Sequence, residues 1–125
     1  MDEEYLAREF VAFLGEKIRS VWELDLLLFL RNHAESDWTA RDLATELRGN
    51  ETAISQACQR FMSLGLLGEA EEGRMHYRSD AALSDFMGRL SEFYRERPLA
   101  VINAIYSGSS EKLNFLADAF KLRKD

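Results

Sequence analysis

Residues 38–78 constrain the fold of this chain more than any other stretch. They carry two short helical patterns joined by a tight turn, followed at once by a hairpin pattern. Thr39-Ala40-Arg41-Asp42 matches a capping box in the form with Asp at the fourth place. Trp38 stands just outside it, placed to pack on Leu43 as a hydrophobic staple. The helix so opened carries Leu43, Ala44 and Leu47 inward, and Gly49 breaks it. Asn50 caps the next helix. Its inward face is Ile54, Ala57, Cys58, Phe61 and Met62, and its outward face is Thr52, Ser55, Gln56, Gln59, Arg60 and Ser63. After Leu64-Gly65-Leu66-Leu67, the turn Glu71-Glu72-Gly73 sends the chain back through Arg74-Met75-His76-Tyr77-Arg78. Strict alternation puts Arg74, His76 and Arg78 on one side of that strand.

The flanks read as helices. Leu6, Phe10, Phe13, Leu14 and Ile18 form one apolar stripe over residues 3–18. Ser20-Val21-Trp22-Glu23 matches a second capping box, opening a helix to about Asn32 that is apolar nearly all round and therefore expected to be buried on most sides. The pattern leaves open whether Ser20 breaks or merely bends the helical run. Ser79-Asp80 caps a helix bearing Leu83, Phe86, Met87, Leu90, Phe93 and Tyr94. Pro98 suits a first helical position before Val101, Ile102, Ile105 and Tyr106. Gly108 is expected to end that run, and a last helix is expected from Glu111 to about Leu122. The resulting expectation is one mainly α domain over residues 1–125, with its central module at 20–78 and flanking helices at 1–19 and 79–125.

Composition narrows the class. The chain has 125 residues, 46% of them apolar, enough for a real core. A single cysteine, Cys58, excludes an internal disulfide and points to a reducing compartment. The acidic start Met1-Asp2-Glu3-Glu4 is unlike a secretory signal, and the dense apolar run Leu24–Leu30 contains Asp25 and is too short to span a bilayer. A cytoplasmic protein with no membrane role is expected.

Residues 39–78 resemble the winged helix-turn-helix of bacterial transcriptional regulators, including the MarR-like and ArsR-like groups. The likeness runs from Thr39-Ala40-Arg41-Asp42-Leu43-Ala44-Thr45-Glu46-Leu47 through Asn50-Glu51-Thr52-Ala53-Ile54-Ser55-Gln56-Ala57 to Leu64-Gly65-Leu66-Leu67 and the charged hairpin. It covers about a third of the chain. It implies a DNA-binding regulator whose second helix enters the major groove of double-stranded DNA. On that implication Gln56 and Gln59 pair with adenine, Arg60 with guanine, and Thr52 and Ser55 meet phosphate or a thymine methyl. Arg41, Arg48, Arg74 and Arg78 would position the DNA backbone. The helices flanking the module look like the dimerising helices of MarR-like proteins, which implies a homodimer. The chain departs from the family at its acidic wing tip, Glu69-Ala70-Glu71-Glu72, and in lacking the Cys/His cluster of metal-sensing ArsR-like proteins.

Charge argues the other way. The net charge is −6, and residues 37–78 hold seven acids against five bases, all five of them Arg. Phosphate contacts supply most nonspecific affinity, so this balance opposes a strong general grip on nucleic acid. The outward face of the second helix is equally readable as a polar surface that only meets water, and the hairpin arginines as an ordinary solvated strand. A winged-helix protein-protein interaction module without DNA binding is the alternative. His33, His76 and Cys58 share no ligand spacing, so neither a metal nor a cofactor is expected. No nucleophile–base set or phosphate loop suggests an enzyme. A cleft between the flanking helices could hold a small apolar effector, although no residue set indicates one.

Overall fold

The computed structural model describes residues 3–78 and 80–106, with side chains from Arg8 onward. The elements in order are α1 (Glu3–Lys17), α2 (Val21–Asn32), α3 (Ala40–Leu47), α4 (Glu51–Ser63), β1 (Leu67–Glu69), a 3-10 turn (Glu71–Gly73), β2 (Met75–Tyr77), α5 (Ala81–Glu96) and α6 (Pro98–Tyr106). The fold is mainly α with a two-stranded antiparallel hairpin after the helix pair, a winged-helix layout with flanking helices. No helix among the described residues is long and apolar enough to cross a membrane. The expected break at Gly108, the helix expected over 111–122, the side chain of Leu6 and Ser79 lie outside what is described. The chain divides into two compact units. One joins the N-terminal stretch up to Leu24 with the stretch from Asp85 onward, and the other spans Asp25–Ser84.

The first unit is built on aromatic packing. Phe10 stacks on Phe93 with centroids 5.3 Å apart, and Phe86 lies tilted against Phe10 and Phe13 at 5.5 and 5.4 Å. Such pairs add about 0.5–1.5 kcal/mol each beyond the area they bury. Ser20 marks a true break between α1 and α2. Its hydroxyl accepts from the Glu23 amide at 3.4 Å, and the Glu23 carboxylate accepts from the Arg19 amide at 2.8 Å. The Tyr106 hydroxyl accepts from the Val21 amide at 3.0 Å. The Val21 and Glu23 amides of α2 thus find partners that a helix start cannot supply itself. The expected box closes on one side only, since the Glu23 carboxylate reaches the Arg19 amide and not that of Ser20. Trp22, expected among buried neighbours, is 44% exposed.

In the second unit the expected caps form. The Thr39 hydroxyl accepts from the Asp42 amide at 3.0 Å while the Asp42 carboxylate accepts from the Thr39 amide at 3.4 Å. The Asn50 side chain accepts from the Ala53 amide at 2.9 Å. Leu43, Ile54, Ala57, Cys58 and Phe61 are buried between and beneath α3 and α4. Three details differ from expectation. Leu47, expected inward, is 36% exposed. The chain leaves α3 through Arg48, which takes the left-handed conformation at φ 54°, and not through the glycine that follows. Gly49 instead lies close to α4: a Cβ there would come within 2.9 Å of Ile54 Cδ1, the end of a side chain that would have to shift.

Trp38 shows the third difference. It pairs with Met75 as an isolated antiparallel bridge, extending the hairpin by one residue of a third strand. Its ring packs edge-on against Phe29 at 5.2 Å and His33 at 6.0 Å. Within the hairpin, Leu67 faces Tyr77, Gly68 faces His76 and Glu69 faces Met75. Leu67, Met75 and Tyr77 point to the core while His76 stays half-exposed, as alternation requires. Two left-handed residues, Glu72 and Gly73, make the tip.

Candidate nucleic-acid interface

Helix α4 owes its exposed side to its own spacing. Thr52, Gln56, Gln59 and Ser63 recur at three- and four-residue intervals, share one face and are exposed. Ser55 and Arg60 flank that face and are half-buried. The Arg60 guanidinium lies 5.2 Å from the centroid of the Phe61 ring, so its stem runs along the helix. After Glu51, no acid follows on α4.

Arginines surround the face. Arg41 and Arg48 sit at the two ends of α3 and are exposed, and Arg78 follows β2 and is exposed. Arg74 begins the returning arm of the wing and is held: its Nη1 donates to Asp42 Oδ2 at 3.5 Å, with both side chains roughly half exposed. The same carboxylate oxygen receives the Thr39 amide. One atom therefore closes the cap of α3 and ties the wing to it. The cap is legible in the sequence and this second bond is not, since nothing local marks a contact between positions 32 apart. The remaining acids, Glu46, Glu51, Glu69, Glu71 and Glu72, are exposed among these arginines.

A groove of about 210 Å³ runs between α4 and the wing, with Ser55 and Gln59 on the helix side and Arg74 and Glu69 on the wing side. Cys58 and Met75 also line it. Five of the nine sequence-derived site residues (Ser55, Gln59 and Arg74 at the groove, Thr52 and Gln56 on the adjoining helix face) are thus brought together by α4 and the wing. Arg60 flanks the same face of α4 without lining the groove, and Arg41, Arg48 and Arg78 stand on other parts of the same unit.

The titratable groups nearby behave as core. Burial pushes the Cys58 thiol from 9.0 up to about 12. Burial also raises Tyr77, with Arg31 pulling down and Asp80 pushing up. His76 Nδ1 lies 3.6 Å from Asp37 Oδ1 on the exposed side of the wing. Among the described residues no group of three His, Cys, Asp or Glu side chains is placed to hold a metal ion.

Comparison with family models, with curated proteins and with solved structures finds no match for this chain.

Proposed function

We propose that the protein is a sequence-specific DNA-binding transcriptional regulator of the winged helix-turn-helix kind, acting in the cytoplasm as a homodimer. The observation that carries this reading is the exposed, uncharged, amide-bearing face of α4 in a chain that is acidic elsewhere. Two Gln side chains one turn apart suit adenine edges in the major groove, and Arg60 at the flank suits guanine. Arg41, Arg48, Arg74 and Arg78 supply backbone contacts, and Thr52 and Ser55 meet phosphate or a methyl group. A two-fold pair of such modules sets its reading helices about one DNA turn apart, which doubles a modest electrostatic grip.

Selection of bound duplexes from a random pool tests this. Recovery of a common sequence, lost in the Gln56→Ala/Arg60→Ala double variant, supports the reading. Recovery of a common sequence that the double variant binds equally well removes α4 as the reading element. The tied Arg74 and the acidic wing tip favour a second reading, a protein-interaction module that keeps the fold. An empty selection, with no binding of random duplex at low salt, removes the DNA reading and redirects the search to partner proteins.

A further inference from the structure

Asp42 stands in the first turn of α3, where helix amides and dipole favour a negative group. In helix-turn-helix docking the first helix crosses the DNA backbone, which under the proposed function would bring α3 near phosphate. Its Oδ2 already does what an incoming phosphate oxygen would do: it meets a backbone amide, Thr39, and a guanidinium, Arg74. Arg74 is also the one arginine on the wing side of the groove whose helix side bears Ser55 and Gln59.

We propose that Asp42 is a positioning residue that acts through Arg74: its carboxylate is an internal stand-in for phosphate that a DNA backbone must displace. This rests on the DNA reading above. Asp42 holds Arg74 at the groove and cancels its charge until a better-placed anion arrives. It thereby lowers affinity for any duplex that does not bring α4 into register, because a poorly seated backbone cannot repay the lost ion pair. The bond is long and half-exposed, so the penalty is small enough for a well-seated duplex to overcome.

The test compares wild type, Asp42→Asn, Arg74→Gln and the double variant, using random duplex titrated across a range of salt. Asn keeps an oxygen for the Thr39 amide, so the cap survives, and melting curves check that it does. Asp42→Asn is expected to bind random duplex about two- to fivefold more tightly at low salt. Its log–log salt slope should steepen by about one unit, since Arg74 then meets a phosphate. In the Arg74→Gln background, the same Asp42→Asn change should give less than half that gain and leave the slope unchanged. An equal gain in both backgrounds would mean that Asp42 acts only as one more surface charge, which overturns the proposal and leaves the DNA reading standing. Failure of all four proteins to bind any duplex overturns both.

Discussion

Trp38 and Met75 exchange both of their backbone hydrogen bonds, the Trp38 amide donating to Met75 at 2.7 Å and the Met75 amide donating to Trp38 at 2.8 Å. This reciprocal pair fastens the segment before α3 to the wing, so helix pair and hairpin act as one unit. In native-state amide exchange, Trp38 and Met75 should be protected together and to the same degree. Met75→Pro deletes one of the two donors and leaves the Trp38 carbonyl unpaired, which should lower stability by about 1–3 kcal/mol beyond the change in side-chain packing. Met75→Leu, similar in volume, should cost less than about 1.5 kcal/mol. Equal losses from the two substitutions, read by urea unfolding, would show that the bridge adds nothing beyond side-chain packing.

The helix caps should be separable by substitution. Thr39→Ala removes the acceptor of the Asp42 amide and should cost about 1 kcal/mol. Asn50→Ala should cost a similar amount, whereas Asn50→Gly should cost only about a few tenths of a kcal/mol. Unfolding midpoints at constant slope give each value. Indistinguishable midpoints for Asn50→Ala and Asn50→Gly would mean that the side-chain bond is not the source of the stabilisation.

Arg48 allows stability and binding to move in opposite directions. Its left-handed backbone costs a non-glycine residue about 1 kcal/mol, part of which the freer unfolded chain of a glycine variant takes back. Arg48→Gly should therefore raise stability by about 0.5 kcal/mol, by the difference of those two effects. Under the proposed function it should also weaken duplex binding and flatten the salt slope by about one unit. Thermal melting and a duplex titration on the same preparation read both, and a destabilised variant would place the strain elsewhere.

Cys58 predicts a pH dependence with a definite sign. The folded protein holds its thiol protonated up to about pH 12, while the unfolded chain ionises near the ordinary thiol value of 9.0. Between those values the unfolded state binds fewer protons, so stability present below pH 9 is lost as pH rises toward 12. The loss from this group approaches about 1.4 kcal/mol per pH unit. Cys58→Ala should flatten the alkaline limb relative to wild type. At pH 8 the thiol should react with an alkylating reagent only at the rate of unfolding, and rapid labelling of folded protein would contradict its burial.

What the sequence disclosed, and what it did not, divides by distance along the chain. The box at Thr39, the half of a box at Ser20, the Asn50 cap and the alternation through Met75 and Tyr77 are local, and each leaves a local signature. Apolar identity misled at Leu47 and Trp22, because a hydrophobic residue announces a preference for cover and not the presence of a neighbour to give it. Gly49 drew attention from Arg48, since a glycine excused by close approach reads the same as one chosen for positive φ. Trp38 escaped notice as a strand because one residue has no period. For the site, the outward side of α4 followed from helical spacing, whereas the bond between Asp42 and Arg74 depends on the whole fold being in place.

The wing's strands are three residues long, a reach of about 10 Å. Under the proposed function, an arm that short would touch the sugar–phosphate rail at one point and then end, confining the footprint of a single copy to the few base pairs beneath α4. Discriminating a site within a genome would then fall to the spacing between copies, and cooperative pairing, more than the contacts of any one module, would set how long a sequence can be read.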